Sequence, residues 1–155
     1  FEAEFARLHN SKYAIFCNSG TSALQISLQA LKELHGWADG DEVIVPAVTF
    51  VATANIVLHN RMKPVFVDVE EGTYNLDFDK VASAISRYHI KGAIIPHLIG
   101  NSPQMDAIIE LLEKYIPNYG LIEDCCDTLG SEYNGQKVGS FGHVSCFGGS
   151  GSIIQ

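Results

Sequence analysis

The sequence predicts an α/β fold built on a mostly parallel, doubly wound sheet. Short runs of branched apolar residues alternate with segments whose apolar residues recur at helical spacing, and the alternation persists through most of the 155 residues. Neither an internal repeat nor an interdomain linker interrupts it. Composition agrees, with 46% apolar and 18% charged residues in a length that supports one domain with a real core.

Taken in order, Glu2 to His9 reads as the tail of a helix, with Phe1, Phe5 and Leu8 at helical spacing. Tyr13-Ala-Ile-Phe-Cys17 is a short strand, followed by the small polar turn Asn18-Ser-Gly-Thr-Ser22. A helix then begins near Thr21 or Ser22, with Leu24, Leu28, Leu31 and Leu34 on one face. Asp39-Gly-Asp41 is a turn, and Glu42 to Pro46 a buried-type strand that the proline ends. Thr49 to Leu58 is expected to be helical despite its β-branched residues, with Phe50, Ala54 and Val57 sharing a face. Lys63 to Asp68 is a strand, and Asp77 caps a helix through about Tyr88 with Phe78, Val81, Ala82 and Ile85 inward. Gly92 to Pro96 is a strand, Met105 to Tyr115 a helix, and Gly120-Leu-Ile the next strand, closed by Glu123-Asp124. Asn134-Gly135 marks a β-hairpin, and Val144 to Phe147 is a last strand before the glycine-rich Gly148 to Ser152, to which no shape is assigned.

A net charge of −8 without any Lys/Arg run argues against nucleic acid or an anionic membrane as partner. The apolar runs are too short to span a bilayer, and no signal peptide precedes the first element. Cys17, Cys125, Cys126 and Cys146 have neither CxxC spacing nor a disulfide framework. Free, mostly buried thiols in a cytoplasmic protein are expected, and no metal site. The chain opens on Phe1 and closes on Ser-Ile-Ile-Gln155, which reads as a piece of something longer.

Three features fall after separate strands, where α/β sheets gather their ligands. The turn around Ser19, Gly20, Thr21 and Ser22 opens a helix, whose free N–H groups and partial positive charge suit a phosphate monoester. The same residues equally suit a cap that serves only the helix. Phe50, after the second strand, can stack on a flat ring or join the core. Asp124 ends an apolar run that would desolvate it and favour a cationic partner, or else it starts a turn. His97, also at a strand end, is read as serving its own loop. A pyridine ring bearing a phosphate would need the cradle, the aromatic and the acid together, because an Asp beside the ring nitrogen keeps it protonated.

The ordered motifs Asn18-Ser-Gly-Thr-Ser-Ala-Leu24, Gly40 to Asn55, Pro64-Val-Phe-Val-Asp-Val69, Thr73-Tyr-Asn-Leu-Asp77, Ile122-Glu-Asp124 and Tyr133 to Ser140 resemble the DegT/DnrJ/EryC1/StrS family. The resemblance covers essentially the whole chain. It implies a fold-type-I large domain that holds pyridoxal 5'-phosphate or pyridoxamine 5'-phosphate, with residues 1–155 forming an incomplete large domain that lacks an N-terminal segment and a C-terminal small domain. By position, Ser19, Gly20, Thr21 and Ser22 would serve the phosphate. Phe50 would lie against the ring, Asp124 would pair with its nitrogen, and Asp127 would face its hydroxyl side. A nucleotide-linked keto sugar and an amino donor are the implied partners, in a cytoplasmic homodimer.

Within the family, Asp127 and the run Glu123-Asp-Cys-Cys-Asp-Thr-Leu-Gly-Ser131 resemble the deoxysugar 3-dehydratase branch, and His97-Leu-Ile-Gly-Asn101 leans the same way. The resemblance also exposes departures. The family's cofactor-bearing Lys, or the His of the dehydratases, would fall near Gly151–Ile153, where no residue can serve. A phosphate-contacting Ser is replaced by Gly148, and an Asp before the last strand by His143. Lys137, just past the hairpin turn, is expected to be solvated rather than a substitute. The chain alone is therefore expected to be inactive, and a non-catalytic truncated domain is the alternative.

Overall fold

A computed structural model describes residues 1–148 and 152–154, the last segment at 152 and 153 by its backbone only. The elements are α1 (Glu2–Leu8), β1 (Ile15–Cys17), α2 (Gly20–His35), β2 (Glu42–Pro46), α3 (Val51–His59), β3 (Lys63–Val67), α4 (Phe78–Arg87), β4 (Ile90–Pro96), α5 (Met105–Tyr115), β5 (Gly120–Asp124), β6 (Glu132–Tyr133), β7 (Gln136–Lys137), β8 (Val144–Phe147) and β9 (Ser152–Ile154). Seven strands form one sheet in the order β1-β9-β8-β5-β4-β2-β3. Pairing is parallel from β3 through β2, β4 and β5 to β8, and antiparallel where β9 joins β8 and β1. The expected mostly parallel sheet is thus present. Strand β9 is an addition, formed where glycine-rich sequence gave no periodic signal.

The central strands β2, β4 and β5 divide their side chains between two cores, as a period of two requires. Val43, Val45, Ile94 and Ile122 face Leu24, Leu28, Leu31, Ile56 and Val57 of α2 and α3. Ile44, Ala93, Ile95 and Leu121 face Val81, Met105, Ile108 and Leu112 of α4 and α5. Helices therefore cover both faces, and the carboxyl ends of β1, β2, β4, β5 and β8 converge along one edge.

Local departures have simple causes. Leu34 was expected in the core but is 75% exposed, because α2 ends in a left-handed Gly36 cap (φ 64°) and Trp37 folds back into that layer. Helix α1 docks through Ala6 and Phe5 rather than Phe1 and Leu8, and Phe5 packs edge-on against Phe147 at 5.2 Å. Lys32, on a helix read as apolar on this side, is buried; its Nζ donates to Asp39 Oδ1 at 2.6 Å and to the Asn60 carbonyl at 2.8 Å. The hairpin turns at Asn134 (φ 50°) and Gly135 (φ 78°), the left-handed pair of a type I′ turn. Lys137, just past it, donates to the Leu8 carbonyl at 2.6 Å, pinning the hairpin to α1.

Close packing of Trp37 on the sheet explains the glycine that opens β5. A Cβ at Gly120 would collide with Cη2 of Trp37 and sit 3.1 Å from Leu31 Cδ1. Gly120→Ala is accordingly expected to cost about 1–3 kcal/mol through overpacking, read as a lowered urea midpoint with an unchanged slope.

Candidate functional site

A cavity of about 320 Å³ opens at the converging strand ends. Its wall on one side is the start of α2. Ser19 is the N-cap, and its hydroxyl accepts from the Ser22 N–H at 3.1 Å and donates to Ser22 Oγ at 3.0 Å. The first intrahelical bond runs from the Ala23 N–H to the Ser19 carbonyl. The helix itself therefore offers no acceptor to the N–H groups of Gly20 and Thr21, and both residues line the cavity. Ser19 and Ser22 hold this end in shape, with Ser22 lining a separate groove between α2 and α3.

The opposite wall follows β5. Asp124 is its last residue, 8% exposed, with Oδ1 accepting the Cys126 N–H at 3.2 Å. Burial raises its pKa most strongly; hydrogen bonds from Cys126 oppose this, Asp127 adds to it and His97 offsets it. Asp127, three residues on, is exposed and lines the same cavity. Phe50, placed inside a helix from Thr49 and read either as stacking on a flat ring or as core, is the N-cap of α3, 69% exposed and lining the cavity, while Ala52, Thr53, Ile56 and Val57 face the core. Of the residues singled out from sequence, Gly20, Thr21, Phe50, Asp124 and Asp127 are thus gathered around one cavity. Gly151 lies outside the described residues, and Ser152 and Ile153 are placed by backbone alone, in β9. Among the described residues no lysine lines the cavity.

Glu123 was not anticipated as a functional group. Fully buried beside Asp124, it faces away from the cavity and accepts four hydrogen bonds. The N–H groups of Phe141 and Gly142 donate to Oε1 at 2.7 and 2.6 Å, and that of Gly139 to Oε2 at 2.8 Å. His97 Nε2 donates to Oε2 at 2.9 Å, while its Nδ1 meets Ser102 Oγ at 2.9 Å. His97 does serve its surroundings as expected, yet it also forms part of the cavity wall. Glu123, His97 and Cys125 place ligand-type atoms within 4.8 Å of one another. Because both Glu123 oxygens are already taken by N–H donors, the group acts as a knot joining β4, β5 and the 139–142 loop.

The cavity is polar in a directed way. Free N–H groups and the positive end of a 16-residue helix stand on one side, and two carboxylates, one of them desolvated, on the other. The exposed Phe50, which follows β2 two strands from β5, lines the same cavity. Such a site fits a flat ligand with an anionic group at one end and a cationic centre at the other. Among the described residues the hydrogen bond to the buried Asp124 carboxylate comes from the Cys126 N–H, and a cationic ring nitrogen would add the partner that burial makes it favour, so the residues fit a phosphorylated pyridine.

Comparison with known proteins agrees. The model of the "DegT/DnrJ/EryC1/StrS aminotransferase family" matches residues 1–149. A UDP-N-acetyl-3-dehydro-alpha-D-glucosamine 3-aminotransferase of Acidithiobacillus ferrooxidans is 42% identical over 94% of this chain and 38% of its own length. The X-ray structure of an aminotransferase from Psychrobacter cryohalolentis superposes with a TM-score of 0.88 and 37% identity, over 99% of this chain and 40% of that one. An E. coli GDP-4-keto-6-deoxy-D-mannose-3-dehydratase with bound hydrated PLP superposes with a TM-score of 0.89 at 28% identity, over 99% and 41%. The chain thus spans about two-fifths of the length of the relatives it matches.

Proposed function

The chain belongs to the DegT/DnrJ/EryC1/StrS aminotransferase family, and from that premise we propose that it is the cofactor-binding part of the large domain of an enzyme using pyridoxal or pyridoxamine phosphate on a nucleotide-linked keto sugar. The observation that carries the reading is the opposed polarity of one cavity, with the α2 amides at one end and desolvated Asp124 at the other. When bound, the cofactor supplies an electron sink for the substrate carbon it activates. The amides of Gly20 and Thr21 and the Thr21 hydroxyl hold the phosphate, with Ser19 and Ser22 keeping the turn in shape. Asp124 holds a proton at the ring nitrogen through a charge-assisted hydrogen bond. Phe50 covers the ring, and Asp127 addresses its hydroxyl side.

Aminotransfer is the first reading, because the 3-aminotransferase aligns at 42% identity. The dehydratase reading is favoured by Asp127 and by the similarity to the 3-dehydratase. In either case a base carried on a Lys or His is required, and the chain is expected to be inactive without one. The N-terminal segment and small domain would complete it. Exposed Phe50 lining the cavity and Ile99 (84% exposed) just beyond cavity-lining Leu98 favour coverage by a second copy, hence a homodimer, which we place in the cytoplasm. Among the described residues no helix is long and apolar enough to cross a membrane.

Adding pyridoxal phosphate to the chain is expected to give saturable binding, seen as a change in visible absorbance and a rise in thermal midpoint. A midpoint indifferent to the ligand would remove the proposal. With a longer chain that supplies the base, stoichiometry separates the two reactions. Aminotransfer leaves the donor's nitrogen in the sugar product, whereas dehydration releases water from C3 and leaves no nitrogen in the sugar.

A further inference from the structure

His9 ends α1 and is 2% exposed, yet among the described residues neither of its ring nitrogens has a hydrogen-bond partner. The ring lies 4.7 Å from that of Phe5, nearly parallel at 18°, and 4.5 Å from that of Phe147. Imidazole thus fills an aromatic slot. Leaving a buried donor and acceptor unpaired costs free energy that an apolar ring would not. What the imidazole brings instead is the capacity to take up a proton. Helix α1 depends on this slot, because seven residues are too few for a helix to hold by itself in water. Besides Phe5, Ala6 and His9 it is tied down by Glu2 Oε1, which accepts the Phe16 N–H at 2.7 Å, and by the Leu8 carbonyl, which accepts from Lys137 Nζ at 2.6 Å. Phe147, on which the slot is built, ends β8 and leads into Gly148 of the cavity wall.

A proton on His9 would meet no acceptor there. On α1 itself, Glu2 is engaged with Phe16, and Glu4 pairs in solvent with Arg7 at 3.0 Å. In the loop that follows, Lys12 lies over the Tyr13 ring at 5.1 Å. The hairpin brings Lys137, whose ammonium sits on the carbonyl of the residue before His9. It also brings exposed Glu132, and Tyr133, whose hydroxyl donates to Asp106 at 2.7 Å. The end of β5 brings Glu123, already given to its N–H donors, Asp124, which faces the cavity, and the buried Cys125 thiol. From β1 and β8 come the buried thiols of Cys17 and Cys146. Burial first, and then the Lys137 charge, accordingly hold the imidazole below its ordinary value. We infer that His9 makes α1 an acid-released latch. Neutral, its ring belongs to the slot over Phe147; protonated, it leaves for water and takes α1 off the strand that leads into the cavity.

Amide hydrogen exchange of the full chain against pH tests this without any ligand, once protection is corrected for the intrinsic exchange rate. A histidine whose folded pKa is depressed withdraws stability as pH falls from its unfolded value, about 6.5, to the folded one. Opening of α1 should therefore rise up to about tenfold per pH unit below about pH 6.5 and then level off, while α5 keeps its protection. The His9 ring carbons, followed by NMR, should titrate below the ordinary histidine range. His9→Leu should hold α1 in place down to about pH 5, where only the histidine would have charged. Should leucine pack poorly, His9→Phe keeps a ring in the slot and serves the same purpose. Three results overturn the inference: α1 protection in the parent that stays level between about pH 7 and 5, a pH-dependent loss that persists in both variants, or α5 opening in step with α1.

Discussion

Asp124→Asn is expected to weaken pyridoxal phosphate binding about 10- to 150-fold while making the ligand-free chain more stable. The first effect is the loss of a charge-assisted hydrogen bond worth about 1.5–3 kcal/mol. The second follows from burial, which raises the pKa of Asp124 above the ordinary carboxylate range. A folded chain that binds this proton more tightly than the unfolded one loses stability as the proton leaves. The loss sets in as pH rises past the unfolded carboxyl's range and is complete above the raised folded value. An asparagine carries no such cost and can still accept from the Cys126 N–H. Thermal melts of both chains at acid and neutral pH, with and without ligand, check all of this. A substitution that lowers ligand-free stability at neutral pH while leaving affinity intact would mark Asp124 as merely structural.

Glu123→Ala should act in the opposite manner, costing about 3–5 kcal/mol of stability. It strands the half-buried N–H groups of Gly139, Phe141 and Gly142, together with the fully buried His97 Nε2. Glu123→Gln keeps the shape but turns one acceptor oxygen into a donor that opposes the donors already there. It should recover only part of the loss. Equilibrium unfolding in urea measures both, and a Glu123→Ala chain within about 1 kcal/mol of the parent would contradict the role of this carboxylate as a knot. Adjacent acids on one strand thus have separate tasks, because the pleat turns Glu123 toward the 139–142 loop and Asp124 toward the cavity.

Why one was foreseen and the other not is instructive. Asp124 stood out because a strand's carboxyl end is where α/β sheets bind ligands. The partners of Glu123 are main-chain N–H groups 16 to 19 residues downstream and a histidine 26 residues upstream, and no local pattern announces such a pairing. Regular elements were legible from their periods, to the residue for Glu42–Pro46, Met105–Tyr115 and Val144–Phe147. β9 was not, since a glycine-rich stretch offers no alternation to read. Phe50 was visible as an aromatic after a strand, but the helix on which it was placed was misjudged at its start. The helix starts two residues later than expected, at Val51 rather than Thr49, which frees Phe50 from the core face and leaves it lining the cavity. Lys32 escaped notice because an apolar helical face hides the one residue whose long stem reaches a buried carbonyl.

The most direct test is nitrogen NMR of ring-labelled pyridoxal phosphate added to the full chain and to Asp124→Asn. The bound ring nitrogen should carry the shift of a protonated pyridinium in the parent chain, at pH values where the free ligand has already lost that proton, and should lose it in the variant. A bound nitrogen that titrates like the free ligand, or that behaves alike in both chains, would mean that the carboxylate ending β5 does not face the ring.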